Sequence, residues 1–230
     1  MKKNTKELSY KDRAKSYINY IFKGDDLLSH VLFFVVLFIL FKFILLPSIG
    51  FVLNTSYPMT AIVSESMEQD LNDRVCGKVP SSSATYWQTC GTLYEQEFNI
   101  SGEEFELFPY SDGMNRGDVI IVYGKDPSNI NVGDIVLFKG QDKVQLPNGE
   151  EESRFYLDYG PIIHRVVEKK FENDTYYFTT KGDNNPQVIS YEKNIPQEDI
   201  IGVAVIRVPY LGLINYWAYQ YVIGPIRGQI

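Results

Sequence analysis

Three features of the 230-residue chain predict a mainly β domain preceded by one transmembrane helix. A single apolar run near the N-terminus is long enough to cross a bilayer. Beyond it the apolar segments are short, β-branched and separated by Gly, Asn, Asp and Pro, the punctuation of strands and turns. Tyr and Phe, with 17 and 14 occurrences, suit a pleated, half-buried surface. At 44% hydrophobic the chain has enough apolar material for one folded domain with its own core.

Residues 1–26 carry seven Lys or Arg against four Asp or Glu, so the rest of the chain, at −10, accounts for more than the whole net charge of −7. The basic excess ahead of an apolar helix places the N-terminus in the cytoplasm, and no basic face for nucleic acid is implied. Residues 27–53 form the transmembrane helix, with Lys42 awkward at mid-depth and Pro47 and Gly50 expected to kink the span or end it early. A cleaved signal peptide fits less well, because a 26-residue polar lead is long and no A-x-A-like site follows. The expected organisation is therefore a cytoplasmic segment (1–26), the span (27–53) and an extracytoplasmic β domain (54–215), in a single-pass protein of the cell membrane.

The outer domain opens with the apolar stretch Met59 to Val63, read as a strand that ends in a turn at Ser64-Glu65-Ser66-Met67. Residues 68–115 are polar, acidic and weakly periodic, and read as an insertion. Its two cysteines, Cys76 and Cys90, are expected to close a disulfide outside the membrane, contributing about 3 kcal/mol. Sequons at Asn54, Asn99 and Asn173 are compatible with that compartment. Strands are then expected at 118–123, 134–139, 162–168, 175–180 and 200–208, and the pairs Gly117-Asp118 and Gly133-Asp134 as turns that launch two of them. The aromatic segment 216–230, with Trp217, Tyr219 and Tyr221, suits a membrane-proximal position, with a second span as the alternative.

Chemistry has few candidates. With two histidines and two cysteines a zinc cluster is nearly excluded by count, and no cofactor or metal is expected. A serine becomes a nucleophile only when a base takes its proton and donors wait for the oxyanion. Ser66 lies in a turn after a strand; an ordinary solvated turn is the competing reading. His164, in Ile162-Ile163-His164-Arg165-Val166-Val167, is the only histidine outside the apolar helix and so the only histidine base for a Ser-His mechanism. Asp183, in Lys181-Gly182-Asp183-Asn184-Asn185-Pro186, is either a plain turn residue or the carboxylate that orients the imidazole. Lys139 and Lys181 are the lysines considered as alternative bases, and Lys181, beside Asp183, reads as solvated or salt-bridged.

Five segments in order, Ser64-Glu65-Ser66-Met67-Glu68, Arg116-Gly117-Asp118-Val119, Val132-Gly133-Asp134-Ile135-Val136, His164-Arg165-Val166 and Lys181-Gly182-Asp183-Asn184-Asn185-Pro186, resemble type I signal peptidases. The likeness is to the archaeal and endoplasmic-reticulum branch, which has His where bacterial enzymes have a Lys base. It runs from Met59 to about Gly212 and skips residues 70–113. It implies a signal-peptidase-like β catalytic domain that removes N-terminal signal peptides from secreted and membrane preproteins. Membrane lipid and the secretion translocon are the other expected partners.

The resemblance implies Ser66 as nucleophile, His164 as general base, and Ser64 with the Ser66 backbone N–H as the oxyanion donors. It also implies Asp183 as the acidic residue, and Ile62, Val63, Ile120 and Val122 as walls of shallow pockets for small side chains. Two departures stand out: Gln69 replaces the usual Pro after Ser-Met-Glu, and Ile189 stands where the family usually has a second Asp. If that Asp partners the histidine in relatives, its role here is unfilled or falls to Asp183, Ser190, Glu192 or Asp199; Asp183 is the expectation. The alternatives in function are a catalytically idle anchored β domain serving as an adaptor or assembly subunit, and a dedicated protease with few substrates.

Overall fold

The computed structural model describes residues 10–140, 143–145, 151–153 and 161–213, and the aromatic segment 216–230 lies outside them. The described chain divides into two units that part at Val52/Leu53. The first holds α1 (Tyr10–Lys23), α2 (Leu27–Leu40) and α3 (Leu46–Val52), with Asp26 capping α2 by accepting from Ser29 N–H at 2.8 Å. Leu27 to Val52 is one unbroken helical run of 26 residues, long and apolar enough to cross a membrane. At about 1.5 Å per residue it exceeds the roughly 30 Å of a hydrocarbon core.

Of the two effects expected of Pro47, a kink or an early end, the second is absent: Pro47 does not end this run. A wide π turn at Phe41–Leu45 precedes it, in which Leu46 N–H donates to Phe41 O, five residues back. The extra residue gives the proline ring the room that a regular helix denies it. Lys42 lies in the same turn, its Nζ 5.8 Å and 5.7 Å from the Phe38 and Phe43 ring centroids.

The second unit is a seven-stranded antiparallel sheet in the order β1-β2-β9-β3-β6-β7-β8. Its strands are β1 (Met59–Ala61), β2 (Val119–Tyr123), β3 (Ile135–Phe138), β6 (Ile162–Glu172), β7 (Thr175–Lys181), β8 (Ile195–Pro196) and β9 (Ile200–Val208). The short strands β4 (Lys143–Gln145) and β5 (Glu151–Ser153) pair only with each other. The fold is thus mainly β with one apolar helix ahead of it, as the sequence predicts.

Alternation along β3 separates the core into two clusters, one on each face. Ile135 and Leu137 join Ile62, Met67, Met114 and Ile120, whereas Val136 and Phe138 join Val166, Phe178, Tyr191 and Ile195. Register shifts mark bulges at Val205 and Ile201 of β9, opposite β2 and β3, and at Val167 of β6, and bulges bend a sheet and strengthen its twist. Both Gly-Asp pairs are turns of one design: Gly117 and Gly133 take φ of +88° and +95°, and Asp118 and Asp134 each accept the N–H of the Asn three residues earlier. The sequon residues Asn54, Asn99 and Asn173 all occupy left-handed positions that favour Asn over most side chains.

The insertion is more ordered than its composition suggested. It carries α4 (Tyr86–Phe98) and α5 (Gly102–Glu106). A capping box between Thr85 and Gln88 starts α4 and Asn99, in the left-handed region, stops it. Its Tyr94, Ile100 and Phe105 pack on Val167, the extra residue of the β6 bulge.

Candidate active site

The turn that carries Ser66 is built from both sides. Ile62 still pairs with the neighbouring strand region, donating to Asp118 O at 2.8 Å and accepting from Gly117 N–H at 2.9 Å. The chain then reverses through a turn closed by Glu68 N–H to Glu65 O at 2.9 Å. Met67 is fully buried and pins the turn to the core, and Arg116 pairs with both Glu65 and Glu68.

The loop after β7 completes the frame, because Asn184 N–H donates to Ser66 O at 2.8 Å and Asn184 Nδ2 to Glu65 O at 3.1 Å. Gly182 is required by this approach: a Cβ there would stand 2.8 Å from Ser66 O. Ser64 Oγ lies 3.0 Å from Ser66 Oγ.

A cleft of about 370 Å³ opens beside this turn. One wall is Thr60 to Ser64 and Ser66, a second is Pro161 to His164, and the third is Asn185, Ile189 and Tyr191. The structure therefore brings together Ser66, His164, Ser64, Ile62 and Val63. Ile120 and Val122 do not join them: both are fully buried in the apolar core, since their alternation on β2 turns them inward to pack beneath Ile62 and Met67.

Asp183 is not beside His164. His164 and Arg165 are adjacent on β6 and so face opposite sides of the sheet. Arg165 takes Asp183, through Nε to Oδ1 at 2.9 Å and Nη2 to Oδ2 at 2.7 Å, with both side chains wholly buried. Tyr94 OH and Gln69 Nε2 supply further donors to the same carboxylate at 3.0 and 2.9 Å. The rest of the guanidinium is used by the carbonyls of Pro109, Tyr110 and Gly133, and its flat face lies over Phe105.

Burial would raise the Asp183 pKa, but the charge and hydrogen bonds of Arg165 outweigh it and hold the carboxyl below the usual carboxylate range. Burial, with the Asp183 charge added, pushes the Tyr86 and Tyr94 phenols well up, so both stay protonated donors.

The carboxylate at His164 is Glu192. His164, 4% exposed, and Glu192, 0% exposed, meet through Nδ1 and Oε1. Glu192 sits in a short 3₁₀ turn, Ser190–Glu192, and its Oε2 accepts the Ile189 N–H at 2.6 Å. It is one of the four groups the sequence left open for this place, and its position depends on a turn that no local pattern announces.

Lys181 is buried, not solvated. It closes β7 with 1% exposure, its Nζ donating to the Gly182 and Asp183 carbonyls at 3.0 and 3.2 Å and lying 4.6 Å from the Tyr94 ring centroid. Burial lowers its pKa to about 8. It lines a separate cavity beside Cys76 and Cys90, away from Ser66, and Lys139 is exposed. Among the described residues, no group of three or more His, Cys, Asp or Glu could hold a metal.

The insertion braces the Gly182–Asn184 loop from outside. Cys76 and Cys90 are joined by a disulfide, with Cα atoms 5.7 Å apart. Cys76 N–H donates to Asn184 Oδ1 at 2.9 Å, and Tyr86 OH to Asp183 O at 2.8 Å. Glu192 was one of the four groups the sequence left open, with Asp183 preferred to it; sequence reasoning missed Asn185, Tyr191 and the Pro161–Ile163 wall as cleft lining, and the only local cue was that Ile162 and Ile163 flank the histidine on its strand.

No family model matches the chain. It is similar to the signal peptidase complex catalytic subunit sec11 of Schizosaccharomyces pombe, with 28% identity over 180 residues covering 76% of this chain and 74% of that protein. An uncharacterised protein of Methanocaldococcus jannaschii is 32% identical over 159 residues, covering 47% of this chain and 78% of its own. The signal peptidase complex catalytic subunit of Plasmodium falciparum is 26% identical over 115 residues, covering 47% and 53% respectively.

Proposed function

The chain belongs to the signal peptidases of the endoplasmic-reticulum and archaeal type, and on that premise we propose that it is a membrane-bound serine endopeptidase in which Ser66 attacks and His164 is the base. The observation that carries this reading is the shared cleft: Ser66, Ser64 and His164 line one opening whose other walls are mostly apolar.

With Nδ1 turned to Glu192, the ring nitrogen left for the cleft is Nε2. Nε2 takes the Ser66 Oγ proton as Oγ bonds to the scissile carbonyl carbon, and returns it to the departing amine nitrogen. The resulting ester is hydrolysed by water, with His164 again accepting the proton. The Ser66 N–H and the Ser64 hydroxyl receive the oxyanion. The substrate, a signal peptide at the N-terminus of a preprotein, lies extended along β1. Among the described residues this strand lies at an edge of the sheet, where an extended peptide can add as a further strand, and its Thr60 and Ala61 line the cleft.

Leu27 to Val52 spans the membrane with the basic N-terminus cytoplasmic, which keeps enzyme and membrane-inserted substrate at high effective concentration. The full-length chain in detergent is tested on a fluorogenic peptide with small residues at the first and third positions before the cut. Ser66→Ala and His164→Ala are each expected to lower kcat/KM at least about 10³-fold with the melting temperature unchanged. Wild-type rates in either variant would remove the assignment.

A further inference from the structure

We infer that Glu192 is the positioning residue for His164, filling from three residues downstream the role of the carboxylate that Ile189 cannot supply. This rests on the reading of Ser66 and His164 given above. Among the described residues, neither His164 Nδ1 nor Glu192 Oε1 has any other hydrogen-bond partner, so each depends on the other. Both are cut off from water, where a polar atom left without a partner is destabilising. The contact is therefore specified by the fold and not by chance encounter at a surface.

Ile189 participates through its backbone. Its N–H holds Oε2 of Glu192, while the chain turns so that Glu192 N–H donates to Ile189 O at 3.0 Å. One carboxylate oxygen is thus anchored to the loop at position 189 and the other is presented to the imidazole. The Ile189 side chain is left to line the cleft as an apolar wall. The charged groups around the pair include Lys181, on which the Glu192 charge acts, and the Arg165–Asp183 pair on the other face of β6.

Two consequences follow for the reaction. A carboxylate on Nδ1 holds the proton there, so that Nε2 carries the lone pair that receives the Ser66 proton. When the imidazolium forms, Glu192 stabilises the charge and accepts no proton itself. The isosteric amide would undo the first of these. In Glu192→Gln only one oxygen remains as acceptor; with the Ile189 N–H claiming it, the amide NH₂ faces Nδ1. That arrangement favours the tautomer with its proton on Nε2, which cannot act as the base.

The experiment measures kcat, KM and the rate–pH profile of the full-length chain on the same fluorogenic peptide. The variants are Glu192→Gln, Glu192→Asp and the double variant Ile189→Asp/Glu192→Gln, with Ser66→Ala and His164→Ala as references. Glu192→Gln is expected to lose on the order of 10²–10⁴-fold in kcat with KM within threefold, and its acid limb to move to lower pH. Ile189→Asp in the Glu192→Gln background is expected to restore at least tenfold in kcat, because it returns a carboxylate to the same loop. A purely structural role would lower the melting temperature and leave the pH profile where it was.

If Glu192→Gln and Glu192→Asp both keep wild-type kcat and pH profile while the two reference variants are inactive, Glu192 has no such role and the Ser66–His164 reading stands. If Ser66→Ala is active, that reading fails whatever Glu192 does.

Discussion

Adjacent residues of one strand, His164 and Arg165, each meet a buried carboxylate, and the two pairs are built differently. Arg165–Asp183 is saturated: both carboxylate oxygens take the guanidinium, and Tyr94, Gln69 and three backbone carbonyls satisfy what is left. His164–Glu192 is spare, one contact to the ring and one to a backbone N–H. A fully satisfied ion pair fixes a loop in one position, whereas a pair with a ring nitrogen left open can pass a proton. The strut and the reactive pair sit back to back across β6, so the loop that Asp183 anchors is also the loop that holds the Ser66 carbonyl.

Variants separate the two pairs by what they damage. The largest expected effect on stability is that of Asp183→Asn, which leaves Arg165 buried without its counter-charge and should cost about 3–5 kcal/mol by denaturant unfolding. Because the folded-state pKa of Asp183 is depressed, its contribution is present above the ordinary Asp value and is lost as pH falls through the folded one. Asp183→Asn should accordingly remove part of the acid limb of the stability–pH curve. A drop in kcat at unchanged stability would instead make Asp183 the histidine's partner and reverse the comparison.

Replacing both Cys76 and Cys90 by Ala opens a loop with a sequence separation of 14, an expected loss of about 3 kcal/mol. A smaller fall in rate is expected with it, since Cys76 holds Asn184 from behind. Gly182→Ala should do the reverse, lowering kcat by about 10–100-fold with a modest change in melting, because its Cβ displaces the Ser66 carbonyl.

The smallest effect belongs to Lys181. Its folded pKa, lowered to about 8, lies below the unfolded value of about 10.4, so the unfolded state binds more protons between the two. Wild-type stability therefore gains a contribution as pH rises through that window, and Lys181→Met should flatten this rise without altering the activity profile below it.

Much of this arrangement could be read in the chain. Strand alternation alone puts His164 and Arg165 on opposite faces, and the scarcity of histidine isolates the base. The Gly-Asp turns at 117–118 and 133–134 carry their own glycine signature. The carboxylate was not legible, because the choice between Asp183 and Glu192 depends on which of them the neighbouring arginine captures, a three-dimensional competition. Helix α4 had a local signal in Thr85 and Gln88, obscured by an apolar face made of aromatic residues spaced among polar ones. Pro47 does not end the helix as it usually would, because a wide turn that composition does not reveal precedes it.

The most direct measurement is the product formed from a membrane-inserted, signal-peptide-bearing precursor by full-length wild type and Ser66→Ala, identified by mass. The expected result is one cut after a small side chain by wild type and no mature product from Ser66→Ala. The same product at the same rate from both would contradict the account.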